Sequence, residues 1–126
     1  MQTLETSFFP LNPDHAAPPL AELLALDDVS FTARFRGTPI ERIGRKRLAR
    51  NACIAAGNSH RADLIPKLQS VISDSSPLVR GHAGWALARL EGRAGVGALH
   101  EQLQTEIDLQ VRLDWAASLE EIGASH

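Results

Sequence analysis

Seven basic residues crowd into positions 34 to 50 and are the strongest chemical signal in this chain of 126 residues. Only Glu41 opposes them, so the segment carries a formal charge of +6, whereas the whole chain carries −2. Arginine forks match pairs of phosphate oxygens, and phosphate contacts supply most sequence-independent affinity for nucleic acids. The basic block therefore predicts a nucleic-acid-binding surface formed by Arg34, Arg36, Arg42, Arg45, Lys46, Arg47 and Arg50.

The basic block allows two interpretations. Lys46 and Arg50 share a helical face at i, i+4, where like charges repel by about 0.2–0.5 kcal/mol and a bound polyanion would relieve the repulsion. Alternatively, the basic residues form a solvated face, or they pair within the chain with Glu22, Asp27 and Asp28. The residues alone leave both interpretations open.

The other reactive side chains indicate no catalytic or metal site. His60, His82 and His100 contain no i, i+4 pair on one helix, so the sequence predicts no zinc site. Cys53 is the single cysteine, which excludes an internal disulfide and an iron–sulfur cluster held by this chain alone. It stands among small apolar residues and is expected to be buried. An autonomous enzyme is therefore the least supported function class.

The composition favours an all-α fold. Alanine (18) and leucine (17) are strong helix formers and make up 35 of the 126 residues, whereas tyrosine is absent. No apolar run approaches the roughly 20 residues of a membrane span, and residues 1–7 lack the basic and apolar parts of a secretory signal. A cytoplasmic protein without a membrane partner is expected.

Local signals divide the chain into two parts. Proline and asparagine near the N-terminus predict an extended tail over residues 1–17, and residues 18–126 are expected to form one helical domain. Within the domain, Thr38-Pro39-Ile40-Glu41 predicts a capping box, in which the Thr38 hydroxyl and the Glu41 carboxylate each accept from the other's backbone amide.

The second half of the domain repeats itself. Ser76-Pro77 opens a helix whose apolar face is formed by Val79, Ala83, Ala86, Leu87 and Leu90. Adding 32 to each number gives a second such face, formed by Val111, Trp115, Ser118, Leu119 and Ile122. Arg80 and Arg112 share this offset. A repeat of about 31 residues, each one helix pair, predicts a short α-solenoid.

Two stretches carry a family resemblance. The run from Asp74 to Leu87, with Pro77, Val79-Arg80, Ala83 and Ala86-Leu87, resembles the short HEAT-like repeat. In such stacks an Asp of the turn and an Arg of the second helix pair between neighbouring units, so the resemblance implies that Asp74, Arg80 and Arg112 are structural. Trp85 and Trp115 lie on or beside apolar faces and are expected in the core.

A longer stretch, residues 18–92, is similar to the C-terminal region of epoxyqueuosine reductase. The similarity rests on Leu23-Leu24-Ala25-Leu26-Asp27, Phe35-Arg36-Gly37-Thr38-Pro39-Ile40, Gly44-Arg45, Arg50-Asn51 and Ile54-Ala55-Ala56-Gly57-Asn58-Ser59. That family carries out the last step of queuosine synthesis on tRNA, and its C-terminal tail helps to hold the tRNA. The resemblance thus implies a tRNA partner for the basic block.

The resemblance does not extend to the family's catalytic portion, which binds cobalamin and two iron–sulfur clusters through cysteines. Phe9-Pro10-Leu11-Asn12 stands about where the family has Cys-Pro-Trp-Asn, with Phe9 in place of the ligand. No cofactor and no catalysis by this chain on its own are therefore expected. The chain is a stand-alone relative, a product of a split gene or a fragment. The basic block could then dock on a separate reductase domain, and a protein-interaction scaffold is the alternative function.

Overall fold

The computed structural model describes residues 19–92 and 96–124, and every regular element in these ranges is helical. The predicted tail, residues 1–17, lies outside the described residues, as does the Phe9–Asn12 match. The helices in the two ranges are α1 (Leu20–Leu24), α2 (Asp28–Phe35), α3 (Pro39–Ile43), α4 (Arg45–Gly57), α5 (Ile65–Val71), α6 (Pro77–Glu91), α7 (Val96–Thr105) and α8 (Leu109–Ala124). A 3₁₀ turn, Ala62–Leu64, leads into α5.

The helices form three stacked pairs. Helix α6 packs against α4 on one side and against α8 on the other, so α4, α6 and α8 make one layer. Helices α1, α5 and α7 are their respective partners, and α1 also touches α5. Helices α2 and α3 are inserted between α1 and α4. The predicted all-α solenoid of HEAT-like helix pairs is confirmed, and the short helix α1 is the first helix of the first pair.

The repeated apolar faces supply the core between the pairs. Val79, Ala83 and Ala86 on α6 have no exposed surface, and Val111 and Trp115 on α8 are likewise buried. Leu48 and Ala52 occupy the matching face of α4 and are also buried. The 32-residue periodicity of the sequence therefore reflects one packing solution used in successive units.

Two glycines let neighbouring helices approach closely. A Cβ added to Gly84 on α6 would lie 2.8 Å from Cε2 of Trp115 and closer still to its Nε1, so only glycine leaves room for the indole. The indole N–H donates to the carbonyl of Arg80 at 3.0 Å, which satisfies the one polar atom of this buried side chain. Gly57 makes similar room for Trp85.

Side chains cap several helices, and the start predicted at Ser76 is present. Asp27 caps α2 by accepting from the Ser30 amide, Ser76 caps α6 through the Val79 amide, and Asp108 accepts from the Val111 amide at the start of α8. The capping box predicted at Thr38 is wrong. The Thr38 hydroxyl turns back and donates to the Phe35 carbonyl at 2.7 Å, and the Glu41 carboxylate accepts from the Gly37 amide instead.

Candidate nucleic-acid interface

Arg45 does not belong to an exposed basic surface. Its side chain is only 7% exposed, and its Nη1 and Nη2 atoms donate to the two carboxylate oxygens of Asp74 at 3.1 and 3.0 Å. Its Nε donates to Asp28 at 3.1 Å. Although it was expected among the phosphate-contacting residues, Arg45 is structural, because both edges of its guanidinium group are already occupied inside the protein.

Charge pairing explains why this arginine can be buried. Burial alone would lower the pKa of Arg45, but the hydrogen bonds and charges of Asp74 and Asp28 outweigh that effect and raise the pKa. Removing one member of a buried pair leaves an uncompensated charge, which is the costly outcome. Arg45 thus fastens the start of α4 to the turn before α6, 29 residues further along the chain.

Four members of the basic block present free charges. Arg36, Arg42, Lys46 and Arg47 are exposed, and among the described residues none of these four makes an ion pair or a side-chain hydrogen bond. Three of them lie close together in the chain at the junction of α3 and α4. Helix geometry places Lys46 and Arg47 on the side of α4 opposite Leu48, Ala49 and Ala52, which are buried.

The remaining two members are partly engaged. Arg34 bonds to Glu22 at 3.2 Å, but both side chains are well exposed, and such surface pairs contribute about 0–1 kcal/mol. Its guanidinium also lies 5.4 Å from the ring centre of Phe35. The Nε of Arg50 donates to Asn51 at 3.0 Å, and Arg50 is half-buried. Intramolecular pairing, the second interpretation of the block, therefore applies to Arg45 and Arg34 but not to the four free cations.

The N-terminal end of α4 adds to the positive potential. Gly44 is the N-cap residue, no side chain caps this end, and the first turn contains no acidic residue. Helix N-termini carry a partial positive charge that attracts anions and disfavours nearby cations. Lys46 and Arg47 nevertheless stand in this first turn. A cationic first turn on an uncapped helix is unfavourable by itself and is complementary to an anion.

The basic face of α4 continues into a groove. Four residues after Arg50, Ile54 forms part of the lining of a groove of about 610 Å³, which α6 and α8 complete with Trp85 and Asp114, among others. Trp85 is half-buried, with the guanidinium of Arg89 5.2 Å from its ring centre. Trp115 is fully buried, so the core prediction is confirmed for Trp115, while Trp85 lies at the edge of the core.

The predicted structural residues join neighbouring units. Arg80 donates through Nε and Nη2 to the carboxylate of Glu106 at 2.8 and 2.7 Å, and through Nη1 to the main-chain carbonyl of Asp74 at 2.9 Å. Arg112 repeats only the last contact, donating through Nη1 to the carbonyls of Glu106 and Leu103, both at 2.9 Å. The Asp74 carboxylate pairs with the guanidinium of Arg45 in the preceding unit, not with that of Arg80.

The sequence analysis missed the structural role of Glu106, although the repeat relates this residue to Asp74. It stands 32 positions after Asp74, and each carboxylate accepts from the backbone amide two residues on, Ser76 and Asp108 respectively. Its hydrogen bonds with Arg80 lower the pKa of this carboxyl group below its usual value. Asp74 and Glu106 are therefore equivalent members of one repeating inter-unit contact.

Metal-binding side chains are not gathered into a cluster within residues 19–92 and 96–124. These ranges hold no cluster of three or more histidine, cysteine or acidic side chains that could bind a metal ion. Cys53 has no exposed surface, and burial raises the pKa of its thiol to about 12, so it is uncharged at neutral pH. Among the described helices, none has the length and apolar character needed to cross a bilayer.

Comparison with known proteins agrees with this architecture. The model of the HEAT repeats family matches residues 41–120. Epoxyqueuosine reductase from Xanthomonas campestris is 42% identical over 71 residues, which is 56% of this chain and 20% of that protein. The enzyme of the same name from Listeria monocytogenes is 34% identical over 101 residues, which is 79% of this chain and 27% of that protein.

A solved structure extends the match to three dimensions. The crystal structure of epoxyqueuosine reductase with an epoxyqueuosine-modified stem loop of tRNA-Tyr aligns over 89% of this chain and 30% of that one, with a TM-score of 0.79 and 28% identity. The chain thus spans between a fifth and a third of the length of the relatives it matches. It belongs to the HEAT repeat family and is homologous to the C-terminal part of epoxyqueuosine reductase.

Proposed function

We propose that this chain is a non-catalytic HEAT-repeat module that binds tRNA phosphates in tRNA queuosine modification. The proposed contact residues are Arg36, Arg42, Lys46 and Arg47, with Arg34 and Arg50, which are partly engaged within the chain, as secondary candidates. Arg45 is excluded because its guanidinium group is buried against Asp74 and Asp28. The proposal takes its RNA partner from the homologous structure, which contains a tRNA stem loop.

The observation that carries the proposal is the set of free cations at the junction of α3 and α4. A protein usually pairs such charges or disperses them, yet Arg42, Lys46 and Arg47 stand together without an acidic partner among the described residues. The uncapped end of α4 lies beside them. Phosphate oxygens complement both the side chains and the helix end.

Binding rather than chemistry is the proposed role, because the contacts that carry the proposal join exposed cations to phosphate oxygens. The single cysteine is buried and protonated, and no metal cluster is present in residues 19–92 and 96–124. In this account the module holds the RNA in place, and a cofactor-bearing reductase portion would supply the reaction. Whether that portion is a separate polypeptide does not alter the binding role.

The test is an RNA titration followed by fluorescence anisotropy. The probe is a labelled anticodon stem loop of tRNA-Tyr, and the variant carries Lys46→Glu and Arg47→Glu. Each charge-assisted contact is worth about 1.5–3 kcal/mol, so the variant should bind at least about tenfold more weakly. Far-UV circular dichroism should show an unchanged helical content, because both side chains are exposed.

A matched control separates the surface from the net charge. Arg61→Glu with Lys67→Glu changes the charge by the same amount, but on the side of the stack that carries α5. This control should bind the stem loop within about twofold of the parent. Equal losses of affinity in the two variants would show that net charge, and not this surface, determines binding. The absence of binding by the parent at low salt would refute the proposed function.

A further inference from the structure

The outer face of α8 differs from the surface expected at the edge of a repeat stack. Leu109 is 69% exposed and Leu113 is 56% exposed on this face, and Ile107, in the turn just before α8, is 91% exposed. Terminal repeats normally present a polar outer face, because contiguous exposed apolar surface promotes association. This face therefore has the composition of an interface.

The sequence repeat shows which contact within the chain the outer face of α8 resembles. Helix α6 packs against α8 at Gly81 and Gly84, because Cβ atoms added to these glycines would meet Asp114 and Trp115. The Arg80 guanidinium lies beside this contact and bonds to Glu106, just before α8. Adding 32 converts these positions into Leu113, Ala116 and Arg112. The exposed face of α8 is thus the counterpart of the surface on which α6 receives the next helix pair.

An incomplete ionic contact lies at the edge of this face. Two arginines complete their contacts to the following unit, Arg45 with Asp74 and Arg80 with Glu106. Arg112 has the same carbonyl anchor through Nη1 as Arg80, but among the described residues no carboxylate meets its Nε and Nη2. The contact seen twice between neighbouring units is half-formed here.

We propose that the outer face of α8, defined by Leu109, Leu113, Ala116 and Arg112 together with Ile107 of the preceding turn, docks a further helix pair contributed by another polypeptide. The turn before the docking helix carries a carboxylate that pairs with Arg112. Apolar side chains of the same helix cover Leu109 and Leu113. This inference does not rest on RNA binding, since none of the five residues belongs to the basic block.

A second copy of this chain does not meet the requirement. Its two turn carboxylates, Asp74 and Glu106, are already occupied by Arg45 and Arg80. The residues just before α4, 42–44, include Arg42 and no acid, so they offer Arg112 no carboxylate. The charge pattern therefore selects a different partner.

Shape restricts the partner further. Ala116 replaces Gly84 at the position of closest approach, so an indole placed like that of Trp115 would collide with its Cβ. The docking helix needs a small residue there, as α6 has the buried Ala83 at the position 32 residues before Trp115. Glu120, one turn beyond Ala116, calls for a neutral or basic neighbour on the partner.

The experiment extends the full chain by a probe with these properties. A copy of residues 61–92 is joined after His126, because this unit carries Asp74 in its turn and Ala83 at the close approach. Thermal unfolding of the extended chain should show one transition, at a Tm at least about 4 °C above that of the parent. Either Leu113→Glu or Asp74→Asn in the copy should remove more than half of this increase.

Controls make the outcome decisive. In the unextended chain Leu113→Glu should shift Tm by less than about 3 °C, because the side chain is mostly exposed. A copy that melts separately, or an increase in Tm that survives both substitutions, would overturn the proposal. A parent chain that sediments as a dimer, and as a monomer after Leu113→Glu, would also overturn it by identifying the occupant as a second copy.

Discussion

At the scale of single residues, neighbours in the basic block have different roles because the helix rotates them apart. Arg45 begins α4 on the side that faces the core, where Asp74 and Asp28 compensate its charge, whereas Lys46 and Arg47 turn toward solvent. Charge type alone does not assign a function to any of the three. The position of each side chain on the helix, and the carboxylates brought to it by the fold, make that assignment.

Arg45→Met should destabilise the protein strongly. The substitution keeps much of the side-chain volume but leaves Asp74, whose side chain is 20% exposed, without its bidentate partner. Breaking a buried pair in this way costs about 3–5 kcal/mol, and the partial exposure of Asp74 points to about 3 kcal/mol. Urea denaturation measures the change in the free energy of unfolding.

Arg47→Met is the matched control, since Arg47 is exposed and unpaired among the described residues. It should change the free energy of unfolding by no more than about 0.5 kcal/mol. Similar losses for the two variants would contradict the structural role of Arg45.

Glu106 should make stability depend on acid pH. Its hydrogen bonds with Arg80 lower the pKa of the folded carboxyl group below 4.5, so the unfolded chain binds this proton more readily than the folded chain. The stabilising contribution is therefore fully present above about pH 4.5 and is lost as the pH falls through the lowered pKa.

Glu106→Gln should accordingly lower Tm at neutral pH and flatten the fall of Tm between about pH 6 and about pH 3. Calorimetry at a series of pH values, on the parent and the variant, measures both effects. Parallel pH profiles for the two proteins would show that Glu106 is not a source of this dependence.

At the scale of helices, local rules predicted what local residues decide. Asp27, Ser76 and Asp108 cap the helices that follow them because each hydroxyl or carboxylate needs only the backbone amide three residues on. Thr38 does not cap α3, because its hydroxyl donates instead to the Phe35 carbonyl at the end of the preceding helix.

Local rules could not predict contacts between segments that are distant in the sequence. Nothing near Arg45 in the sequence identifies Asp74 as its partner, and nothing near Gly84 identifies Trp115 as the side chain that it accommodates. The one long-range signal was the 32-residue repeat. Applied to Asp74, it would have led to Glu106, and applied to Gly84, it leads to the exposed Ala116.

Gly84→Ala should destabilise the stack although alanine is the better helix former. The helical preference favours alanine by about 1 kcal/mol, but overpacking against the buried Trp115 indole costs about 1–3 kcal/mol or more. A net loss of about 2 kcal/mol is expected in urea denaturation.

Gly97→Ala provides the opposite case. A Cβ there meets no atom within 4 Å, so the helical preference acts alone and should stabilise the protein by up to about 1 kcal/mol. Stabilisation by both substitutions would show that the α6–α8 contact has room that the structure does not indicate.

At the scale of the whole molecule, one stack of helices carries two surfaces of different character. The junction of α3 and α4 gathers free cations, and the outer face of α8 gathers exposed leucines beside Arg112. Taken together, the two proposals describe the stack as a platform for RNA at one place and for a protein segment at another. Polyanion binding depends strongly on salt and apolar docking much less, which lets experiments separate the two surfaces.

The most direct test of the RNA account is the salt dependence of stem-loop binding, measured as the slope of log K against log salt for the parent and for Lys46→Glu with Arg47→Glu. Each phosphate contact contributes about 0.7–0.9 to the magnitude of this slope. The account predicts a steep slope for the parent and a slope smaller by about 1.5 for the variant. A parent slope near zero, or equal slopes for the two proteins, would contradict it.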